Sequence, residues 1–337
     1  MGKTLGFDLG SAYTALCIQD ETNIMAIPSV VTIDKKSDRL IASGNEAKKM
    51  IGRAPDTLNV IKPFKNGLMN DADAASLLMT SLLEKTDSSS VFKRTEIIST
   101  LPFGAENEES ARERAIMSAG ISTFDFVYTP IAIALGAGMP VDLSEGRMIV
   151  DVGAGHTDAS VISHGDVIVS STIKTAGDAM TDAIRAYVAD EHGIEIGELT
   201  AEALKIKLGT LNANAPIKSA KICGKVRADK NSKHGDRITA SALITSQELV
   251  PILTPYADKI VENIIEALKN TPTEMSSDIS AFGILLSGGG AMLNGLPKYL
   301  EKALRVKVST TKMPSLDAIR GVLRIVNGGR AFAKFTR

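Results

Sequence analysis

Short apolar segments end in glycine-containing turns at three places along the chain. The first turn is DLGSA at 8–12, the second is DVGAGH at 151–156, and the third is SGGG at 287–290. Apolar runs of this length, bounded by glycine and serine, predict strand–turn units. The first two units share an apolar strand, an aspartate, an aliphatic residue, a glycine and a small residue. This shared order predicts an internal duplication into two related half-domains.

Apolar residues that recur at spacings of three and four predict helices between the strands. The clearest pattern covers 250–270, where Pro251 and Pro255 would be tolerated only near the helix start, because proline has no N–H to donate. A similar apolar pattern predicts a helix over 71–84. The charged segment 107–120 ends on a glycine, the residue expected after a helix C-terminus, and is predicted to be helical, as is 200–209. Because strands and helices alternate, the predicted class is α/β.

Composition removes several classes of function. The 337 residues carry 38 Lys and Arg against 39 Asp and Glu, which argues against binding nucleic acid through bulk charge. Aromatic residues make up 4% and Trp is absent, which disfavours base-stacking platforms. The two cysteines are far apart, so neither a disulfide scaffold nor a cysteine zinc site is expected. No signal peptide and no membrane span are visible, which predicts a cytoplasmic protein. The balanced charge and the few aromatic residues predict that nucleic acid is not a partner.

The three glycine turns predict a phosphate-binding site. Glycine lets backbone N–H groups approach phosphate oxygens, and successive N–H groups form a concavity that accepts an anion. A carboxylate beside a phosphate is repulsive unless a cation lies between them, so Asp8 and Asp151 are predicted to organise a phosphate-bound Mg²⁺. Neither a Walker loop nor a Rossmann fingerprint is present, and the pattern therefore points to another class of nucleotide-binding fold.

Several segments resemble one known superfamily along nearly the whole chain. They are FDLGSAYT at 7–14, IPSVV at 27–31, NEAKKMIGR at 45–53, IKPFKNG at 61–67, VDVGAGHTD at 150–158, AGDAM at 176–180 and LSGGGAMLNGL at 286–296. The chain resembles the superfamily of actin, sugar kinases and heat-shock chaperone ATPases, and within it the bacterial actins. Most of these segments are similar to the cell-shape actin MreB. The tail RGVLRI at 320–325 and the 154–158 loop are more similar to MamK, the magnetosome-aligning actin.

The resemblance implies a fold and a set of binding residues. The fold is the actin-like ATPase fold, with two duplicated RNase H-like domains, each carrying a smaller subdomain, around a nucleotide cleft. The implied ATP or ADP contacts are Asp8, Gly10, Ser11, Ala12 and Tyr13 in the first loop; Gly153, Ala154, Gly155, His156 and Thr157 in the second; Gly177, Asp178 and Lys205 near the ribose; and Gly288, Gly289, Gly290, Ala291 and Met292 at the adenosine. Mg²⁺ would be held by Asp8 and Asp151.

Three positions depart from the pattern of the family. Thr129 precedes a proline where relatives commonly have the Glu that positions the attacking water, and a threonine cannot act as a carboxylate base. Lys207 stands where many relatives have a ribose-contacting Glu, and Asp158 replaces another Glu. The candidate catalytic set is therefore Thr129, Asp151, Asp158 and His156, with hydrolysis expected to be slow. His156 is either a catalytic base or a loop histidine with a satisfied hydrogen bond.

The resemblance also implies subdomains, partners and a biological role. The expected subdomains are IA at 1–32, 66–143 and 315–337, IB at 33–65, IIA at 144–180 and 247–314, and IIB at 181–246. The expected function is a filament that assembles head to tail, lies in the cytoplasm as cytoskeleton, and organises cell shape or positions an organelle such as a magnetosome. Adaptor proteins at a membrane or organelle surface are expected partners. Direct membrane contact is expected to be weak or absent, because only Val91 and Phe92 would insert.

Two alternatives use the same scaffold. A sugar or acid kinase needs a carboxylate base facing an acceptor hydroxyl and a pocket built by large insertions, and neither is visible. A chaperone-like monomeric switch needs an added peptide-binding domain.

The Lys48-Lys49 pair is interpreted as solvent-exposed charge on the small lobe.

Overall fold

The computed structural model describes residues 3–86, 95–104, 108–226 and 239–337. Val91, Phe92 and Asn107, which carry expectations given above, lie outside the described residues. The strands are β1 Thr4–Leu9, β2 Tyr13–Ile18, β3 Ile24–Pro28, β4 Val31–Asp34, β5 Leu40–Ser43, β6 Leu58–Ile61, β7 Phe64–Lys65, β8 Leu68–Met69, β9 Glu96–Leu101, β10 Thr123–Tyr128, β11 Arg147–Val152, β12 Thr157–Ser163, β13 Asp166–Ile173, β14 Ile194–Glu195, β15 Ser219–Val226, β16 Thr239–Thr245, β17 Ile284–Ser287 and β18 Val308–Thr310. The α-helices are α1 Asn45–Lys49, α2 Ala72–Leu83, α3 Glu109–Ser118, α4 Thr129–Ala137, α5 Gly177–Glu191, α6 Glu198–Leu208, α7 Ser246–Lys269, α8 Thr273–Phe282, α9 Leu296–Leu304 and α10 Asp317–Gly328.

Two five-stranded sheets of the same design form the body of the protein. The first has the order β10-β9-β1-β2-β3 and the second β18-β17-β11-β12-β13. In each, three strands run parallel and the last two are added antiparallel. Asp8 and Asp151 are both the penultimate residue of the central strand. The structure therefore confirms the duplication that the sequence predicts.

Helices α4 and α10 lie between the two sheets. Their apolar faces form one core with residues of both sheets, including Val127 from the first and Ile149 from the second. The helices meet backbone to backbone: a Cβ on Gly136 would lie 1.8 Å from the Asp317 carbonyl oxygen, and one on Gly321 would lie 1.7 Å from that of Ala132. This close approach holds the sheets at a fixed separation. The outer face of each sheet has its own core.

Two three-stranded sheets are added to the body. One has the order β5-β4-β6 and carries α1; the other has the order β14-β15-β16 and packs against α5 and α6. We call them the first and second small units. The hairpin β7–β8 forms a separate two-stranded ribbon. No α-helix in the described ranges is both long enough and apolar enough to cross a membrane.

The predicted helices are present with different ends. The helix predicted over 250–270 begins four residues earlier, at Ser246, because Thr245 and Glu248 form a reciprocal capping box. Pro251 and Pro255 therefore lie inside α7, so the expectation that both would sit near its start is wrong for Pro255. The amphipathic face of α7 is buried, and this packing offsets the backbone hydrogen bonds that the prolines remove.

Candidate functional site

The first glycine turn begins directly after Asp8 at the end of β1. Thr100, from the neighbouring parallel strand β9, donates its hydroxyl hydrogen to Asp8 Oδ1 at 2.8 Å. The turn is fastened from behind by Ser29, whose hydroxyl donates to the Gly10 carbonyl at 2.6 Å and whose N–H donates to the Ala12 carbonyl at 2.9 Å. These bonds hold the backbone between Gly10 and Tyr13 in one conformation.

The second glycine turn connects β11 to β12 and carries the start of α5. The Gly153 N–H donates to the His156 carbonyl at 3.0 Å and closes the turn. The first two N–H groups of α5, from Gly177 and Asp178, donate to the carbonyls of Gly153 and Ala154 at 3.2 and 2.7 Å. The turn and the helix N-terminus therefore form one unit that contains six of the predicted contact residues: Gly153, Ala154, Gly155, His156, Gly177 and Asp178.

His156 and Asp158 form a hydrogen-bonded pair on this turn. His156 Nε2 lies 2.8 Å from Asp158 Oδ2, and Asp158 Oδ1 accepts a hydrogen bond from Thr172. His156 Nδ1 is buried and has no hydrogen-bond partner among the residues that the structure describes. Burial lowers the pKa of His156, but the hydrogen bond and charge of Asp158 outweigh it, and the net direction is upward. Together with the 66–68 turn and residues 102–104, the pair lines a cavity of about 270 Å³.

The tip of the β7–β8 hairpin joins the first turn to the second. The Gly67 N–H donates to Ser11 Oγ at 3.0 Å. On its other side the tip packs against the second turn: a Cβ on Gly155 would lie 2.6 Å from Asn66 Cα, and one on Gly67, where φ is +78°, would lie 2.2 Å from His156 Nδ1. Only glycines permit this approach, so the two turns and the hairpin are fitted to each other.

Arg112 is a buried cation beneath this junction. Its side chain is fully buried, and its guanidinium faces the carbonyls of Thr100 and Gly67 at 3.4 and 3.5 Å. Burial lowers the pKa of Arg112 to about 10, although the negative charges of Glu108 and Asp8 act to raise it. The sequence pattern misses this residue because α3 is highly charged. One signal was available: Arg112 lies three and four positions before Ala115 and Ile116, which form the buried face of α3.

The third glycine turn meets Asp151 at the edge of the second sheet. Ser287 on β17 pairs with Asp151 on β11. A Cβ on Gly288, where φ is +82°, would lie 2.3 Å from Asp151 Oδ1. Among the predicted adenosine contacts, Ala291 is buried in the core while Met292 is 68% exposed. The two side chains therefore face opposite ways, and Ala291 can offer a ligand only its backbone.

Negative charge accumulates where the turns converge. Burial raises the pKa of Asp151 to about 7, and the charges of Asp158, Asp8 and Asp317 add to the rise against the opposing effect of His156. Burial also raises the pKa of Asp8, although the hydrogen bond from Thr100 and the charges of Arg112 and His156 oppose it. In the part of the chain that the structure describes, no cluster of three or more His, Cys, Asp or Glu is arranged to hold a metal by itself.

The remaining predicted residues lie around this junction at different distances. Lys205 on α6 donates to the Gly177 carbonyl at 2.7 Å and to Thr181 Oγ1 at 2.8 Å, next to the second turn. Lys207, on the same helix, is exposed. Thr129 is the first residue of α4 and follows β10, which stands two strands from β1 in the first sheet.

Two sheets of one design, with glycine turns meeting at their edges and helices α4 and α10 between them, define the actin-like fold. Solved structures with this fold superpose closely. MreB5 of Spiroplasma citri bound to AMPPNP gives a TM-score of 0.89 at 28% identity, covering 96% of each chain. The MamK double helical filament gives 0.77 at 20% identity, covering 96% of this chain and 98% of that chain.

The family model for MreB/Mbl proteins matches residues 2–333, and the chain belongs to this family of bacterial actins. It is 33% identical to the cell shape-determining protein Mbl of Bacillus subtilis over 313 residues, covering 93% of this chain and 92% of the relative. It is 31% identical to the cell shape-determining protein MreB of Escherichia coli over 335 residues, covering 97% and 92%. The expected fold class and family are confirmed. The subdomain boundaries and the roles of individual site residues remain predictions.

Proposed function

We propose that this protein binds ATP as its Mg²⁺ complex at the junction of the three glycine turns and assembles into cytoskeletal filaments. The observation that carries the proposal is the contact network that joins Ser11 to Gly67, and Gly67 to His156, at the edge where Asp8 and Asp151 end their strands. Structures of the relative MreB5 of Spiroplasma citri bound to AMPPNP and to ADP support nucleotide binding.

The donor set at the junction fits a cation that is shared with a phosphate. Asp8 and Asp151 lie on strands that end at this junction, both have pKa values raised chiefly by burial, and the charge of Asp8 adds to the rise at Asp151. Mg²⁺ commonly takes one or two carboxylates and completes its coordination with phosphate oxygens and water. When bound, Mg²⁺ neutralises phosphate charge and polarises the phosphoryl group. The two aspartates would hold it, either directly or through water.

The chain contributes the rest of the site through fixed backbone and a few side chains. Peptide N–H groups of the first two turns are held in place by the bonds of Ser29 and of Gly153, and they would face the phosphates. Lys205 would face the ribose, and the 288–292 turn would lie along the adenosine. Thr129 has no carboxylate with which to orient the attacking water, so hydrolysis is slow. The His156–Asp158 pair, on the second turn, would accept a proton from this water.

Filament assembly is proposed from family membership. Subdomains IA, IB, IIA and IIB, with the boundaries given from the sequence, would form two lobes whose relative angle the nucleotide sets. A head-to-tail contact that does not close into a ring generates an open filament. The filament would lie in the cytoplasm and organise cell shape or hold an organelle. Adaptor proteins at a membrane or organelle surface would direct it.

Two measurements test this proposal. Isothermal titration calorimetry with AMPPNP, with Mg²⁺ and then with EDTA, tests binding without the complication of turnover. We expect saturable binding that weakens at least tenfold when Mg²⁺ is removed. Sedimentation followed by negative-stain microscopy, with and without ATP, tests assembly. Binding without any sedimenting polymer across salt and nucleotide conditions would contradict the filament function and favour a monomeric nucleotide switch.

A further inference from the structure

Two ion pairs connect the first small unit to helix α6, which packs against the second small unit. Lys48 on α1 lies 2.8 Å from Glu202 on α6, and Lys62, which follows β6, forms a salt bridge with Glu198 on the same helix. Glu198 and Glu202 are four residues apart, so their side chains lie on one face of α6. Lys48 follows the edge strand β5 and Lys62 follows the opposite edge strand β6, and both strands end beside Val31 of the central strand. We call these two pairs the clasp.

The clasp is built differently from the surface pair beside it. The side chains of Lys48 and Glu202 are each 26% exposed, whereas Lys49 and Glu46, which pair within α1, are each 70% exposed. The two adjacent lysines therefore have different partners. Lys48 pairs with Glu202 of helix α6, whereas Lys49 pairs with Glu46 of its own helix. The sequence-based interpretation of both lysines as solvent-exposed charge is wrong for Lys48.

Both sides of the clasp also touch the proposed nucleotide site. The Lys48 ammonium lies 5.6 Å from the centre of the Tyr13 ring, at the end of the first glycine turn. Three residues beyond Glu202 on α6, Lys205 bonds to the Gly177 carbonyl beside the second turn. Helix α6 is therefore attached to the second turn at one point and to the first small unit at two others. The clasp therefore joins elements on both sides of the proposed nucleotide site.

We propose that the clasp determines how long nucleotide stays bound, because the two small units must separate before nucleotide leaves. This inference rests on the proposed nucleotide site and adds the residues that govern release. Breaking the clasp leaves the phosphate contacts in place and lowers only the barrier to opening. The dissociation rate constant then rises while the glycine turns remain intact.

Nucleotide dissociation from the full-length protein tests this inference. The protein is loaded with a fluorescent ATP analogue and Mg²⁺ and then mixed rapidly with excess unlabelled ATP. We compare the wild type, Lys48→Glu, Glu202→Lys and the exchanged double variant Lys48→Glu/Glu202→Lys. The matched control is Lys49→Glu, which makes the same charge change one residue away. Lys62→Gln and Glu198→Gln test the second pair with a smaller perturbation.

Each reversal in the first pair is expected to raise the dissociation rate constant about threefold to tenfold, because repulsion replaces attraction at a partly buried pair. The exchanged double variant is expected to return to within about twofold of the wild type, and Lys49→Glu to leave the rate unchanged. Rates for Lys48→Glu and Glu202→Lys equal to that of Lys49→Glu, or a double variant faster than either single variant, would overturn the clasp while leaving the nucleotide site in place. If the wild type does not retain the analogue at all, the proposed function fails as well.

Discussion

Replacing Asp151 with Asn should stabilise the nucleotide-free protein at neutral pH while weakening its nucleotide site. The pKa of Asp151 is raised from 3.8 to about 7, chiefly by burial. Because the folded-state pKa lies above the unfolded value, the folded protein gains stability from the protonated carboxyl below pH 4. That stability is lost as the pH rises through 7. Asparagine has nearly the same shape and carries no charge at any pH.

The size of the effect follows from the pKa difference. At about 1.4 kcal/mol per pKa unit, a shift from 3.8 to about 7 corresponds to at most about 4 kcal/mol at pH 8. At pH 5 the same calculation gives about 1.6 kcal/mol, because the folded carboxyl is then almost fully protonated. The gain from Asp151→Asn should therefore fall by more than half between pH 8 and pH 5.

Urea unfolding in EDTA without nucleotide, at pH 5 and pH 8, measures this difference. Asp56→Asn at an exposed position serves as the control and is expected to behave as wild type at both pH values. In a second experiment, Mg²⁺ and AMPPNP should raise the unfolding midpoint of the wild type and leave that of the Asp151 variant nearly unchanged. A variant that is less stable than wild type at pH 8, or whose gain in stability does not depend on pH, would refute the reasoning that the buried Asp151 carboxylate destabilises the nucleotide-free protein.

Three further predictions follow from single positions. Thr129→Glu should raise phosphate release at equal polymer mass at least about tenfold, since it restores a group that orients water; an unchanged rate would show that this position does not govern hydrolysis. Gly67→Ala and Gly52→Ala both place a side chain at positive φ, +78° and +68°, but among the described residues only the first would meet a neighbour within 4 Å. The first should therefore lower the free energy of unfolding by about 1–3 kcal/mol more than the second, and equal losses would argue against the hairpin contact. Cys17 is buried, with a pKa raised to about 12 by burial, and Cys223 is exposed, so a thiol reagent should label one cysteine in the native protein and two after unfolding.

Local chemistry was enough to predict the elements that form the site. The run from Leu5 to Phe7 before Asp8, and its copy before Asp151, already indicates two strands that end in glycine turns, because side-chain alternation and glycine content are properties of short segments. The helix ends were less predictable. The start of α7 is set by a capping box at Thr245 and Glu248 that the apolar spacing of 250–270 does not reveal.

Long-range contacts required the structure. Gly67 lies 45 residues before Arg112 and 56 residues after Ser11, yet the Arg112 guanidinium faces its carbonyl and its N–H donates to Ser11 Oγ. The burial of Arg112 and the different environments of Lys48 and Lys49 are also set by residues that are distant in sequence. Each depends on a partner from another unit, and no spacing within one helix encodes that partner.

Periodicity, glycine placement and local residue types suffice to predict the strand–turn units, their duplication and the α/β class, and the matching segments carry the resemblance to bacterial actins. Which charges interact depends on the folded chain. Asp8, Asp151, Asp158 and His156 influence one another because two sheets end at a common edge, and Lys48 reaches Glu202 because the first small unit lies beside helix α6. Electrostatic energy depends on distance and on exclusion of water, and both are fixed only when the chain has folded.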